Sequence, residues 1–189
     1  MRRGKGAAMR PAMKEFATLV VVRCPTERLF VTMRDRMPEL AASLSDIERI
    51  DELERREEPE GTLVVSRWQP RPILPGVLAA KLAPDGIHWL DRAHWSEARR
   101  TCRWTIEPSL GEGAIACAGE TTFEPAMAGR GTRARFAGTI SIDSAYLGSL
   151  VGAFQGPVRS LVETIATSMI PANFRAMAET AANATTSAS

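Results

Sequence analysis

The sequence predicts a single soluble α+β domain in which a curved antiparallel sheet wraps a long C-terminal helix. Four strand-like segments follow one another between residues 87 and 142, and a turn separates each from the next. An apolar pattern with helical spacing then runs from Tyr146 to Ala182. At 189 residues, of which 44% are hydrophobic, the chain can bury one sizeable core, and two independent domains are not expected.

Five elements are predicted before these strands: a strand at Glu15–Arg23, helices at Pro25–Met37 and Pro38–Leu44, and strands at Ile47–Glu58 and Gly61–Gln69. The first is a run of β-branched and apolar residues, which favours a strand buried on both faces. Ile47–Glu58 could also be a short helix because its apolar residues lie three apart, and we favour the strand. The Pro-rich connection that follows, through Pro84, is expected to hold one helical turn at Val77–Leu82.

The four later strands are predicted at Ile87–Ser96, Arg100–Glu107, Ala114–Glu124 and Thr132–Ile142, in an antiparallel meander. Alternation of side chains along them gives one apolar face, which must be covered. The helical segment is expected to cover this face, because it carries apolar residues at helical spacing: Leu147, Leu150, Val151, Phe154, Val158, Leu161, Val162, Ile165, Met169 and Met177. Pro157 suits the start of a helix, whereas Pro171 indicates a kink or a new helix.

Charge, cysteine content and hydropathy restrict the class of protein. The net charge of +2 gives no strong field of the kind that nucleic-acid-binding proteins display. Three distant cysteines without ligand spacing indicate neither a disulfide framework nor a metal site; no cofactor is expected, and a reducing cytoplasm fits best. The sequence predicts neither a secretory signal nor a membrane-spanning stretch.

The domain is expected at residues 14–182. Residues 1–13 are expected to be a disordered leader, in which Met9 or Met13 could be the true start. Residues 183–189 are polar and are expected to form a disordered tail.

Several segments resemble parts of one known superfamily. They are RCPTERLF at Arg23–Phe30, WTIEP at Trp104–Pro108, the strand at Gly119–Glu124 and GRGTRARFAG at Gly129–Gly138. Together with the order of elements, they resemble the START-like or Bet v 1-like superfamily, which is grouped with polyketide cyclase/dehydrase proteins, over about Lys14–Ala182. The resemblance implies a helix-grip fold with a cavity between sheet and helix, used for lipids, sterols, polyketides and other apolar molecules. Two segments depart from the family pattern, namely Gly148–Pro157 and the Pro-rich connection Pro70–Pro84.

A small apolar ligand would contact the inner face of the sheet and the helix. Four tryptophans lie on predicted strands; facing inwards they would form a rigid apolar wall with indole donors for a ligand oxygen, and otherwise they are ordinary core residues. Cys102 and Cys117 fall on the inward sets of adjacent strands, where small core residues are expected rather than nucleophiles. The candidate ligand-binding residues are Trp68, Trp89, Trp95, Cys102, Trp104, Cys117, Phe123, Phe136, Phe154, Leu161 and Ile165.

Asp91 is the candidate catalytic residue, and its role depends on which face of its strand points inwards. Alternation places Asp91 with Trp89 and Trp95, and places His88 with His94 on the opposite face. If the tryptophans face inwards, Asp91 becomes a carboxylate in an apolar wall, with a raised pKa and an acid/base or hydroxyl-binding role. Otherwise it sits at a bulge or pairs with an arginine. The two histidines, about 20 Å apart along the strand, cannot ligate one metal ion.

Three functions are compatible with these patterns, and the first is favoured. A non-catalytic protein would bind a small hydrophobic molecule in a pocket of roughly several hundred Å³. A cyclase/dehydrase-type enzyme would use Asp91 or a histidine as acid/base on a polyketide or aromatic precursor. An interaction module would use the outer surface of the sheet or the arginine-rich hairpin at Gly129–Arg135. Neither nucleic acid nor membrane insertion is expected, and a homodimer stays open.

Overall fold

The computed structural model describes residues 12–72 and 85–186. The described residues form seven strands: β1 (Ala12–Val22), β2 (Ile47–Glu58), β3 (Gly61–Pro70), β4 (Trp89–Ser96), β5 (Thr101–Pro108), β6 (Ile115–Ala126) and β7 (Gly131–Ile142). They make one curved antiparallel sheet in the order β1-β7-β6-β5-β4-β3-β2, in which consecutive strands from β2 to β7 are neighbours. The predicted meander is confirmed, and Ile47–Glu58 is a strand as favoured.

The helices cover one face of this sheet. They are α1 (Thr26–Asp35), α2 (Met37–Leu40), a 3₁₀ turn at Ala41–Ser43, α3 (Ser144–Val151), a 3₁₀ turn at Gly152–Phe154, α4 (Gln155–Thr164), a π-helical turn at Ile165–Met169 and α5 (Ile170–Thr186). From α4 to α5 the chain runs on as one long C-terminal helix. A curved antiparallel sheet around such a helix is the helix-grip fold, so the predicted fold class is confirmed.

The sequence around Pro25 explains where α1 begins and which side it buries. The carbonyl oxygen of Pro25 accepts the first helical hydrogen bond from the amide of Leu29, at 3.0 Å. Glu27 in the first turn interacts favourably with the helix dipole. The predicted stripe of Leu29, Phe30 and Met33 is buried almost completely, which fixes α1 against the sheet.

Pro171 explains the interruption of the long helix. Proline lacks a backbone N–H, and its ring collides with the carbonyl group four residues earlier. The π-helical turn at Ile165–Met169 widens the helix just before this residue and relieves the collision. Pro157 lies in the first turn of α4, where a missing N–H costs little. The predicted break at Pro171 therefore takes the form of a π turn.

Two predictions about buried faces are wrong. In β1, Leu19 and Val21 are 48% and 45% exposed, whereas the alternate positions Phe16 and Val20 are buried. The described helices cover only one face of the sheet, so one side of β1 is exposed although its residues are apolar. Leu150 is also exposed, because α3 is a separate short helix whose one buried residue is Leu147.

The ordered elements reach beyond the predicted domain bounds of 14 and 182. Ala12 already pairs with Ile142 in the sheet, and α5 continues to Thr186, so residues 183–186 are helical rather than part of a disordered tail. The rest of the predicted leader, residues 1–11, lies outside the described residues, as does the predicted turn at Val77–Leu82. Within the described ranges, no helix is both long and apolar enough to cross a membrane.

Among the described strands, β2 forms one edge of the sheet, and its composition suits that position. Most of its side chains are exposed and charged. Its pairing with β3 is irregular between Ile47 and Arg49 and again between Glu52 and Glu54. Arg55 contacts Glu52 at 2.8 Å and Asp35 of α1 at 2.9 Å, which ties this edge to the helix layer.

Candidate functional site

A cavity lies between the inner face of the sheet and α5. Its volume is about 60 Å³, counted as the space that the centre of a water-sized sphere can occupy. Its flexible walls are the aliphatic side chains Met33, Met37, Ile106, Ile170 and Met177. The expectation of several hundred Å³ is therefore wrong for this conformation, because side chains fill most of the space between sheet and helix.

Aromatic side chains form the rigid part of the wall. The tryptophan face of β4 points inwards, and all four tryptophans of the chain line the cavity. Trp68 stacks on Trp89, with ring centroids 6.0 Å apart, and Trp104 stacks on Phe136 at 4.5 Å. Phe174 of α5 continues the second stack, at 5.0 Å from Phe136. The stacked rings hold one another in place, so this wall is preformed.

Two glycines set the position of Trp104. Gly119 on β6 and Gly138 on β7 are paired in the sheet, and the indole ring of Trp104 lies directly over them. A Cβ atom on Gly138 would lie 2.7 Å from the carbonyl oxygen of Ala118 and would overlap the ring of Trp104. Because these positions carry no side chain, the indole can lie flat on the sheet instead of projecting into the cavity.

Asp91 is the only ionisable carboxyl group in the described cavity wall. It lies in continuous register between Ser66 of β3 and Ile106 of β5, so it does not sit at a bulge. No described residue forms a hydrogen bond or ion pair with its carboxyl group, so it has no arginine partner either. Burial raises the pKa of Asp91 from 3.8 to about 7. Near neutral pH the group is therefore poised between its neutral and charged forms.

The side chain of Asp91 is only partly shielded from solvent, although apolar protein surrounds it. Asp91 borders the cavity, and protein atoms surround the rest of its side chain. A ligand in the cavity would therefore contact it directly.

Four buried side-chain atoms of the described residues have no hydrogen-bond partner: Trp68 Nε1, Trp104 Nε1, Asn173 Nδ2 and His94 Nδ1. The first three belong to side chains that line the cavity. Leaving a buried donor unpaired costs roughly 1–3 kcal/mol, and native proteins contain few such groups. Three side chains of the cavity wall therefore carry a buried donor that has no partner among the described residues.

A second, smaller space adjoins the first. It measures about 30 Å³ on the same basis and lies beside the π turn, where Ile165 contributes to its lining. Trp89, Ile106 and Ile170 line both spaces. These three side chains therefore divide one apolar layer into two compartments.

The predicted ligand-binding residues divide into three groups. Those that line the main cavity are Trp68, Trp89, Trp95, Cys102, Trp104 and Phe136. Cys117 and Ile165 line the smaller space. Phe123, Phe154 and Leu161 line neither; Phe123 packs edge-on against Phe30 at 5.4 Å, and the other two are partly buried against the core.

The two cysteines are not poised as nucleophiles. Burial raises the pKa of the Cys117 thiol to about 12, and the nearby carboxylate of Asp91 contributes to this rise. Burial also raises the pKa of Cys102 well above its usual value. Both groups stay protonated at neutral pH and act as small apolar wall residues, as expected.

His94 and the arginine-rich hairpin lie away from both spaces, whereas His88 lines the smaller one and not the main cavity. Nε2 of His94 is 3.2 Å from Glu58 on the outer side of the sheet, and Nδ1 of His88 is 3.3 Å from the carbonyl oxygen of Gly86. Arg133 is exposed and 3.8 Å from Glu124. Over residues 12–72 and 85–186, no cluster of three His, Cys, Asp or Glu residues could hold a metal ion.

Sequence reasoning missed the polar contribution of α5. Asn173 is 5% exposed and lines the cavity beside Phe174. Ile170, Asn173, Phe174 and Met177 have the spacing of one helix face, so the periodicity could have identified them. The asparagine was overlooked because a polar residue on an apolar stripe is read as an interruption rather than as part of a site.

Comparison with known proteins gives likenesses of structure and none of sequence family. No family model matches the chain, and no curated protein sequence matches it. The Thermus thermophilus protein TTHA0849 is 20% identical, with a TM-score of 0.61 over 91% of this chain and 99% of that one. The Zhui aromatase/cyclase of Streptomyces sp. R1128 is 15% identical, with a TM-score of 0.67 over 91% of this chain and 94% of that one. Ara h 8.0201 is 17% identical, with a TM-score of 0.56 over 88% and 96%.

Proposed function

We propose that this chain, which has the helix-grip fold of START-like and Bet v 1-like proteins, binds a small and largely apolar molecule in its central cavity. The observation that carries the proposal is the cavity itself, an apolar space between sheet and α5 that is walled by all four tryptophans. Asp91 is its polar anchor, since a carboxyl group without a protein partner is free to bond a ligand.

Binding must be coupled to movement of the aliphatic wall. An apolar cavity of about 150 Å³ accommodates benzene, whereas the main space here measures about 60 Å³. Met33, Met37 and Met177 are unbranched and change rotamer easily, so they can give way while the aromatic stacks stay in place. A ligand with one ring or two fused rings would displace these side chains and join the two spaces that Ile170 helps to separate.

Filling the cavity is expected to abolish binding. Ala93 lines the cavity on β4, so Ala93→Leu would place a larger apolar side chain in the ligand space. The bicyclic probes tetralin and α-tetralone, titrated by calorimetry, should bind the parent and lose about tenfold or more in affinity for this variant. Ala118→Leu, on the exposed face of β6, is the matched control and should bind like the parent. If neither probe binds the parent, or if Ala93→Leu binds them normally, the proposal is wrong.

An acid/base enzyme is the second candidate, and Asp91 is the observation that favours it. A carboxyl group with a pKa of about 7 can both take and return a proton at neutral pH. The likeness of fold to an aromatase/cyclase supports this candidate by analogy only. In such a reaction the Asp91 carboxylate would remove a proton from the carbon next to a ligand carbonyl group, leaving an enolate that is later reprotonated.

Deuterium exchange at C2 of α-tetralone tests this second candidate. The Asp91 carboxylate would remove a C2 proton, exchange it with D₂O and return a deuteron, so no other reactant is needed. We expect exchange to accelerate up to about pH 7 as Asp91 ionises, and to fall about 100-fold or more in Asp91→Asn. Asp51→Asn, on the exposed edge strand, is the control. Equal exchange in both variants would exclude Asp91 as the base.

A further inference from the structure

The outer face of β1 and β7 concentrates exposed apolar side chains. Among the described residues, seven large apolar side chains are exposed, and four of them lie here: Met13, Leu19, Val21 and Met127. The first three occupy outward positions of β1. Met127 covers Gly131, an outward position of β7, where an added Cβ atom would lie 2.9 Å from the Met127 sulfur. A contiguous apolar surface of this kind is typical of an interaction site.

A shallow groove lies beside these side chains on the same face. Its volume is about 400 Å³, counted in the same way as that of the cavity, and it is open to solvent. Ala17 of β1 and Ala137 of β7 are paired in the sheet and form its floor, because their small side chains leave space above the strands. Leu19 is the next outward residue of β1. A projecting apolar side chain and an apolar recess therefore lie next to each other.

Two charged residues that form no ion pair with a described residue lie at opposite ends of the groove. They are Glu15 of β1 and Arg135 of β7, and both are exposed. Glu15 is paired with Thr139, which is four residues from Arg135 along β7. Four residues of a strand span about 13 Å, so the two charges are too far apart to pair within one molecule. The groove is therefore negative at one end and positive at the other.

A second copy of the chain fits this surface by two-fold symmetry. An axis that lies parallel to the sheet and crosses β1 near Ala17 reverses the direction of the strands, so the Leu19 end of each copy lies over the Glu15 end of the other. Leu19 then faces the groove of the second copy. Arg135, which is paired with Leu19 in the sheet, meets Glu15 of the second copy. Each favourable contact occurs twice, as a self-complementary interface requires.

The face has the extent that a stable dimer needs. β1, β7 and β6 offer five, six and six outward positions, which approaches the roughly 20–30 residues that each side of a standard interface contributes. Next to the groove on β6, Ala116 and Ala118 are also small and exposed, so two such faces can approach closely. Packed sheets lie about 10 Å apart, a distance that one interlocking leucine from each copy can bridge.

We propose that the chain forms a homodimer through the outer faces of β1 and β7. Leu19 of each copy fills the groove above Ala17 and Ala137 of the other. Glu15 and Arg135 pair across the interface, once on each side of the axis. The cavities lie on the opposite faces of the two sheets, so the dimer does not depend on the proposed function and leaves both cavities free.

Sedimentation velocity of the full chain over about a hundredfold range of concentration tests the dimer. The parent should change from monomer to dimer as the concentration rises. Glu15→Arg and Arg135→Glu each place like charges at both symmetric contacts, so each should raise the dissociation constant of the dimer about tenfold or more. The double variant restores opposite charges and should return to within about threefold of the parent. Because the two residues cannot pair within one molecule, this rescue can arise only between copies.

Two further variants distinguish face-to-face packing from other modes of association. Ala137→Arg fills the groove on β7, away from the edge that β1 forms, and should prevent the dimer. Arg67→Glu, on the exposed face of β3, changes the net charge as much as Arg135→Glu does and should leave the dimer unchanged. A parent that stays monomeric at every concentration, a double variant no better than the single ones, or a dimer that survives Ala137→Arg would each overturn the proposal. None of these results would alter the proposed function.

Discussion

The parent protein is expected to lose stability as the pH rises from about 4 to about 7, and the variant Asp91→Asn is expected not to lose it. Burial raises the pKa of Asp91 from 3.8 to about 7, so the folded state holds this proton more tightly than the unfolded chain does. The free energy of unfolding contributed by this group falls as pH rises through that window and is constant above it. The total fall is about 4 kcal/mol.

Urea titrations at about pH 4.5 and pH 8 measure this effect as a difference between parent and variant. Other groups titrate with the opposite sign; Lys14, for example, hydrogen-bonds Glu163 and lowers the pKa of that carboxyl group. Taking the difference cancels such contributions. Asparagine resembles a neutral carboxyl group, so Asp91→Asn should match the parent at low pH and exceed it at pH 8. Parallel pH profiles for the two proteins would contradict the burial of an unpaired carboxyl group, and Asp51→Asn should follow the parent.

Gly119→Ala is expected to destabilise the fold by about 3 kcal/mol. The added Cβ would overlap the carbonyl oxygen of Ala137 and the ring of Trp104 at the same time. The carbonyl oxygen belongs to the paired strand β7 and cannot move without breaking the sheet, and the indole can move only into the cavity. Chemical denaturation of parent and variant measures the change, and a loss of probe binding should accompany it.

Gly156→Ala is the matched control for this substitution. Gly156 lies in the first turn of α4, and a Cβ there would meet no atom within 4 Å apart from its chain neighbours. The same exchange of residues should therefore change the stability by no more than about 1 kcal/mol, because the gain in helix propensity is opposed by the restriction that Pro157 places on the residue before it. If both glycine variants were equally stable, the close packing of Trp104 on the sheet would be incorrect.

The order and type of the elements could be predicted because each rests on a local signal. The four late strands alternate in polarity between Gly- and Pro-containing turns, and α1 follows Pro25 with its apolar stripe intact. The prediction that both faces of β1 are buried was wrong, because an apolar strand sequence does not reveal how many of its faces the rest of the chain will cover. Its outward Leu19 and Val21 look no different in sequence from its inward valines.

The candidate site was predictable only in part, because it depends on long-range register. Alternation showed that Asp91 shares a face with Trp89, but not which face turns inwards; that is decided by the pairing of β4 with β3 and β5 and by the position of α5. The size of the cavity depends on how side chains from several elements fill one space. No local sequence pattern predicts the volume that these side chains fill together, and the expected cavity volume was therefore too large.

The charged edge strand has a consequence for how these molecules meet one another. A sheet with an open edge can template the addition of further strands, which is the route to fibrous aggregates. Any strand added along β2 would have to accommodate two irregular pairings and bury carboxylates such as Glu52 and Glu54 beside its own backbone. At high concentration, edge-to-edge pairing of molecules along β2 is therefore disfavoured, whatever the cavity contains.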